Sequence, residues 1–115
     1  MNTTIDRTVF TELIESMGAD FIGELIDTYL EETPQLIAKL RQSLAEQNAE
    51  AFRRFAHSIK SSSASFGALG FSAQARDLEM IGMSGDLTGA GEKVEQLSSA
   101  YSQVAQALQE LKNEP

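Results

Sequence analysis

The final segment of the chain carries apolar side chains at alternating intervals of three and four residues. The series is Val94, Leu97, Tyr101, Val104, Leu108 and Leu111. Because an α-helix turns once in about 3.6 residues, this spacing places all six side chains on one face. It predicts a helix over about 89–112 that packs nearly antiparallel to neighbouring helices in a bundle.

Helical patterns cover most of the remaining chain, and no strand alternation of useful length occurs. The expected helices span about 7–17, 19–46, 49–66 and 68–82. Together with the last helix they predict an all-α fold class, an up-and-down antiparallel four-helix bundle in which the N-terminal helix caps one end. The length predicts a single domain over 1–115.

Capping residues and a proline mark the expected helix starts. Asp6 and Asn48 are suited to cap the helices that follow them. Pro34 is favoured at the first position of a helix, where its missing N–H costs nothing. The segment 19–46 is therefore either one kinked helix or two helices.

Glycines mark the expected helix ends. Gly18 suits a left-handed stop after the first helix, and Gly67 closes the helix over 49–66. The run Gly-Met-Ser-Gly-Asp at 82–86 predicts the clearest loop in the chain.

The composition argues against several classes of protein. The formal charge of −8 disfavours binding to nucleic acid or to anionic lipid, because both need a basic face. The absence of cysteine rules out disulfides and thiolate chemistry. No apolar run approaches the ~20 residues that cross a bilayer. Residues 1–4 show no signal-peptide pattern, so we expect a cytoplasmic protein without a membrane partner.

The only histidine, His57, is expected on the exposed side of the helix over 49–66. The apolar stripe of that helix comprises Phe52, Phe55, Ala56, Ile59, Ser63 and Phe66. His57 points roughly 160° away from the centre of this stripe. Three of the nine cations, Arg53, Arg54 and Lys60, lie within four residues of it. An exposed imidazole on a rigid helix, surrounded by cations and small residues, suits a phosphoryl acceptor that presents the group to another protein.

The residues around His57 also resemble a known family. From position 56 the chain reads Ala-His-x-Ile-Lys-Ser-x-Ser, Gly67-Ala68 begins ten residues after the histidine, and Leu78-Glu79 follows on the next helix. This pattern resembles the signature of histidine phosphotransfer (HPt) domains, in which His-x-Leu-Lys-Gly is usual and Ser61 here replaces the glycine. The resemblance implies a four-helix bundle and a phosphorylatable His57. It also implies as partners the receiver domains of response regulators, or a hybrid sensor histidine kinase.

Phosphoryl transfer requires from the carrier only a nucleophile and nearby charges that stabilise the transferred group. An unperturbed imidazole is mostly uncharged and nucleophilic at neutral pH, and nearby cations favour that form. We expect Lys60 to offer its ammonium to the attached phosphoryl group, and Arg53 or Arg54 to add a contact to it or to the partner. The chain has no Gly-rich phosphate cradle, so we expect a phosphocarrier without catalytic activity of its own. No cofactor is expected, and Mg²⁺ would lie on the partner receiver domain.

Further side chains are candidates for contacts around His57. Ser61 and Ala64 are small enough to let a partner aspartate reach the imidazole, and Ser61 is also a candidate donor to the phosphoryl group. Gln74, on the next helix, is a candidate to hydrogen-bond the ring and orient it. Gly67 is expected chiefly to end the helix.

Three alternative functions compete with phosphotransfer. A hydrolase would pair Ser61 with His57, but no acid is placed to orient the imidazole and no oxyanion hole is evident. A metal site lacks a ligand set, because the chain has one histidine and no cysteine. The remaining alternative is a helical-bundle adaptor that binds a partner without being phosphorylated, which the presence of both His57 and Lys60 disfavours. We expect a monomer, and the start at Met1 favours a free-standing carrier.

Overall fold

A computed structural model describes residues 4–114, and almost all of this part of the chain is helical. The helices are α1 (Arg7–Met17), α2 (Ala19–Ala45), α3 (Ala49–Ser65), α4 (Leu69–Ser84) and α5 (Ala90–Lys112). The described residues contain no strand, which confirms the all-α fold class. Residues 1–3, which were part of the signal-peptide expectation, and Pro115 lie outside the described part.

The two predicted N-caps are confirmed. The Asp6 carboxylate accepts hydrogen bonds from the backbone N–H of Thr8 at 2.9 Å and of Val9 at 3.2 Å. The Asn48 side chain accepts from the N–H of Ala51 at 3.0 Å. Each cap satisfies backbone donors that the first helical turn leaves without an intrahelical partner. The cap at Asn48 fixes the start of the helix that carries His57.

The segment around Pro34 forms one continuous helix, which decides between the two alternatives that the sequence leaves open, and Pro34 does not start a helix of its own. Pro34 lies inside α2 and cannot donate to the carbonyl of Leu30, one turn before it. The hydroxyl of Tyr101, on α5, donates to that carbonyl at 3.3 Å. A side chain from another helix thus replaces the missing backbone donor. Gly18 has a positive φ of 90°, but its ψ of 141° is not that of the predicted left-handed stop.

The four longer helices pack as a ring of neighbours around one core. α2 and α4 each contact both α3 and α5, whereas α3 and α5 make no such contact within the described residues. Fully buried apolar side chains from all four helices fill the centre, among them Ile26, Leu40, Phe52, Ile59, Leu78, Val94, Leu97 and Leu108. The buried hydroxyls of Tyr29 and Ser63 lie 2.7 Å apart and join α2 to α3.

The N-terminal helix is held to the end of α3 by a close backbone contact at Gly67. The N–H of Asp6 donates to the carbonyl of Gly67 at 2.8 Å. Gly67 has a φ of 85°, and a Cβ there would lie 2.7 Å from the carbonyl oxygen of Asp6. Only glycine allows both this conformation and this approach. The prediction that Gly67 follows the end of the His57 helix is confirmed, and its role is packing.

The predicted loop at 82–86 is wrong in its first half, because α4 continues to Ser84. Gly82 is buried inside α4 and faces α3. A Cβ on Gly82 would lie 2.9 Å from the backbone N and Cα of Arg53. This glycine is needed for close helix packing and does not form a turn. In the described part of the chain, no helix combines the length and hydrophobicity of a membrane span.

Candidate functional site

His57 lies in the middle of α3, and its ring faces outward. The side chain is 53 % exposed, whereas Ala56 and Ile59 on the opposite face of the helix are fully buried. The predicted rotation of α3 is thereby confirmed. Phe55 departs from the predicted stripe, because it is only half-buried at the α2 edge, with the Lys39 ammonium 5.6 Å from its ring centroid.

A carboxylate from α4 binds the imidazole. Oε2 of Glu79 lies 2.7 Å from Nδ1 of His57, and Oε1 of the same carboxylate accepts a hydrogen bond from Nζ of Lys60 at 2.7 Å. The Glu79 side chain is only 11 % exposed. The spacing of three residues between His57 and Lys60 places both on the α4 side of α3, so one carboxylate reaches both.

The charge state of Glu79 determines which ring nitrogen carries the proton. The Lys60 ammonium lowers the pKa of the Glu79 carboxyl below its usual value, partial burial opposes this effect, and the bond to His57 adds to it. Glu79 is therefore ionised at neutral pH and can only accept hydrogen bonds. The proton of a neutral imidazole must then lie on Nδ1, which leaves the lone pair on Nε2.

Nε2 of His57 is open to an incoming group. Within residues 4–114, no side chain or backbone atom forms a hydrogen bond with this nitrogen. The ring is thus fixed from the protein side at Nδ1 and unpartnered on the outer side. An imidazole in this state is a nucleophile whose lone pair points away from the bundle.

Two contacts between α3 and α4 hold this geometry. The Ser72 hydroxyl donates to the backbone carbonyl of Lys60 at 2.8 Å, which sets the height of α4 beside the site. At the other end, Gly82 lets the α4 backbone approach Arg53. Glu79 lies between these two contacts, so its carboxylate is held at a fixed distance from α3.

Neither of the two predicted arginines hydrogen-bonds to His57 within the described chain. Arg53 forms an ion pair with Glu50, with its Nε 3.2 Å from Oε2. Glu50 and Arg54 are (i, i+4) neighbours on α3 but do not form an ion pair. The guanidinium of Arg54 instead lies 6.0 Å from the ring centroid of Phe55.

The two small residues Ser61 and Ala64 follow His57 along α3. Ser61 is exposed one turn after His57, and Ala64 is half-buried two turns after it. The Ser61 hydroxyl makes no hydrogen bond to His57 within the described chain. The Ser61–His57 pair that a hydrolase would use is therefore not hydrogen-bonded in the described structure.

Gln74 does not orient the ring, which corrects the sequence-based prediction. It lies five residues before Glu79, about 140° around the helix. It lines a shallow depression with Ala100 and Gln103 of α5. Glu79 takes the role expected of Gln74, so the statement that no acid is placed to orient the imidazole is wrong as well. The Leu78-Glu79 pair in the family pattern was the available signal for this residue.

Comparison with known proteins identifies the family. A family model described as Hpt domain matches residues 24–114, and the chain belongs to that family. The chain is similar to the crystal structure of histidine-containing phosphotransfer protein B (HptB) from Pseudomonas aeruginosa PAO1, with 26 % identity and a TM-score of 0.90 over 97 % of this chain and 96 % of that one. No curated protein matches the chain. Family and likeness together support a histidine phosphotransfer function in a phosphorelay.

Proposed function

We propose that His57 accepts a phosphoryl group on Nε2 from a receiver-domain aspartate and passes it to another such aspartate. The donor is a response-regulator receiver domain or the receiver of a hybrid sensor histidine kinase. One observation carries this proposal: an exposed imidazole whose Nδ1 is bound by an ionised Glu79 and whose Nε2 has no partner in the described chain. Family membership supports it independently.

The transfer step follows from the proton positions. The Nε2 lone pair forms a bond to phosphorus while the bond from phosphorus to the partner's aspartate oxygen breaks, and the electron pair leaves with that carboxylate. Because Nδ1 keeps its proton, the phosphorylated ring carries a positive charge. The Glu79 carboxylate at 2.7 Å stabilises this charge. The reverse transfer uses the same groups, with the imidazole as leaving group.

Lys60 is proposed to stabilise the phosphoryl oxygens. Its ammonium has three protons, and the bond to Glu79 at 2.7 Å uses one of them. The other two are available to an oxygen of the group on His57. Ser61 and Ala64 leave space for the partner's aspartate, because neither carries a bulky side chain.

The proposal also covers the domain architecture, the oligomeric state and the location of the protein. We take the chain to be one domain, an up-and-down four-helix bundle capped by α1, since α2 to α5 pack in sequence order and joining segments are short. We also propose a monomeric, cytoplasmic phosphocarrier without a catalytic cycle or cofactor of its own. The Mg²⁺ and the aspartate belong to the receiver domain.

Labelling by a phosphorylated receiver domain tests the function. Wild type and His57→Gln are incubated with a panel of receiver domains carrying labelled phosphate, and the label on each chain is followed over time. The variant should keep wild-type helicity, because the side chain is exposed, and should accept no label. Equal labelling of both proteins would refute the proposal.

A further inference from the structure

Three of the large apolar side chains that the described structure leaves exposed lie on α4. Met80 is 55 % exposed, Met83 is 68 % exposed, and Leu69 lies near the start of the helix. Met80 follows Glu79 directly, and Met83 lies four residues after Glu79, which is one helical turn. The two methionines therefore border the carboxylate that binds His57. Exposed apolar side chains that lie next to one another, unlike scattered single ones, commonly mark surfaces that bind another protein.

Arg76 extends the surface formed by the two methionines toward the N-terminus of α4. It lies three residues before Glu79, on the same side of α4. Its side chain is exposed, and it forms no ion pair within residues 4–114. By contrast, Arg53 and Lys60 on α3 are already paired with Glu50 and Glu79. Arg76 is thus a cation beside the site that is free to meet an external acid.

Charge is strongly segregated along the chain. Residues 53–76 contain four cations and no aspartate or glutamate. Residues 8–38 contain seven acidic residues and no lysine or arginine. Glu50, Asp77 and Glu79 border this stretch, so α3 and α4 together carry four cations and three acids, a small positive excess on a protein with a net charge of −8. Such a distribution attracts an acidic partner to α3 and α4 and repels it from α1 and the first half of α2.

We propose that Arg76, Met80 and Met83 form the docking ridge that binds the receiver domain during exchange with His57. This inference rests on the proposed function, because the ridge borders the phosphoryl acceptor. The occupant fits on charge: a receiver that carries an aspartyl phosphate is acidic at the reacting centre, and Arg76 meets that charge. The two flexible methionines pack against apolar surface beside that centre and adapt to more than one partner.

The test separates docking from chemistry. Met80→Ala/Met83→Ala is compared with Met17→Ala, which removes a methionine that is 46 % exposed on α1, a helix without contacts to α4 in the described structure. The receiver of the panel that labels wild type fastest is titrated, and both the half-saturating concentration and the saturating rate are measured. Phosphoramidate, a small donor that needs no docking surface, measures the chemistry at His57 alone.

The double variant should raise the half-saturating receiver concentration by about fivefold or more, because truncated interface anchors typically weaken binding by this order. Its saturating rate and its labelling by phosphoramidate should match wild type, and Met17→Ala should change neither quantity. An unchanged half-saturating concentration would overturn the inference and leave the proposed function intact. A wild type that no receiver labels would overturn both. If wild type forms dimers, the double variant does not, and both have the same half-saturating receiver concentration, then the ridge binds a second copy of the chain and the inference is overturned.

A charge-matched pair of variants tests the docking role of Arg76 independently of the methionines. Arg76→Glu and Lys93→Glu change the net charge equally, but Lys93 is an exposed residue near the start of α5 and is not part of the ridge on α4. Arg76→Glu should raise the half-saturating concentration by about fivefold or more and make it less dependent on salt. Lys93→Glu should change it by less than about twofold. Equal effects of the two variants would show that only net charge matters, which would contradict a docking role for Arg76.

Discussion

Nδ1 of His57 and Oε2 of Glu79 lie 2.7 Å apart, although the two residues are 22 positions apart in the chain and on different helices. The bond fixes the rotation of the ring, the position of its proton and the direction of its lone pair. The same carboxylate also binds Lys60 at 2.7 Å. One buried acid on α4 therefore binds both His57 and Lys60 of α3.

Lys60→Ala should slow phosphoryl transfer without changing helicity. The variant removes the ammonium proposed to bind the phosphoryl oxygens, and a partly exposed contact of this kind contributes about tenfold in rate. Stopped-flow transfer from a phosphorylated receiver measures the effect, and Lys60→Arg, which keeps the charge, should retain more of the rate. A rate for Lys60→Ala equal to wild type would remove Lys60 from the mechanism.

Glu79→Gln should slow transfer more than a matched change elsewhere. A neutral amide still accepts the Nδ1–H bond but does not stabilise the positive charge of the phosphorylated ring. Glu95→Gln on α5 is the control, because it likewise neutralises an ion-paired acid, here the partner of Arg41. Single-turnover rates of the two variants measure the difference. If both variants transfer at the wild-type rate, Glu79 has only a structural role.

Glu79 should also make stability depend on pH in the acid range. Its folded pKa lies below the ordinary value of 4.5, so the unfolded chain binds a proton first as the pH falls. The contribution is fully present above 4.5 and is lost as the pH falls through the lower folded pKa. Urea unfolding between pH 5.5 and pH 3 (roughly the window in which a carboxyl titrates) should show a steeper loss of stability for wild type than for Glu79→Gln. Parallel profiles would contradict the ion pair with Lys60.

Tyr101→Phe should destabilise the protein through the carbonyl of Leu30. That carbonyl lacks its usual donor because Pro34 has no N–H, and the loss of the tyrosine hydroxyl at 3.3 Å leaves it without this hydrogen bond. We expect a cost of about 1 kcal/mol in the free energy of unfolding. In a Pro34→Ala background the backbone N–H returns, and the same change should cost clearly less. Equal costs in the two backgrounds, measured by urea unfolding, would show that Tyr101 does not replace the proline's missing donor.

Two glycine-to-alanine variants in α4, Gly82→Ala and Gly70→Ala, test whether α4 packs closely against α3 at Gly82. A Cβ at Gly82 would lie 2.9 Å from backbone atoms of Arg53, whereas a Cβ at Gly70 would have no heavy atom within 4 Å. Gly82→Ala should cost about 1–3 kcal/mol of unfolding free energy, as overpacking does. Gly70→Ala should be neutral or stabilising by up to about 1 kcal/mol. Thermal unfolding compares them, and similar melting temperatures would contradict the packing described here.

Local sequence signals predicted most of the helices, because caps and apolar periodicity act over a few residues. Asp6 and Asn48 start their helices as expected, and the periodic segment ending at Leu111 forms α5. The sequence leaves open whether Pro34 starts a new helix, and a local pattern cannot decide this. The missing donor of Pro34 is replaced by Tyr101, whose hydrogen bond to Leu30 spans 71 residues of sequence.

The exposed His57 was predictable from the sequence, whereas the residue that binds its ring was not. Helical periodicity alone places the imidazole opposite the buried stripe. To predict that Glu79, and not Gln74, binds the ring, one must know how α3 and α4 are shifted and rotated relative to each other. Those depend on Gly82 and Ser72, and each acts through a contact with the other helix. The pairing of two helices is a tertiary property, so the family pattern around Glu79 was the only sequence signal for it.

The central claim is that Nε2 of His57 carries the phosphoryl group while Nδ1 keeps its proton. Long-range ¹H–¹⁵N correlation spectra of the ¹⁵N-labelled protein, before and after phosphorylation by a receiver domain, test this directly, because the chain has one histidine. We predict phosphorus coupling at Nε2 and a protonated Nδ1. Phosphorus coupling at Nδ1, or no phosphohistidine signal after incubation with receivers that phosphorylate other Hpt domains, would contradict the account.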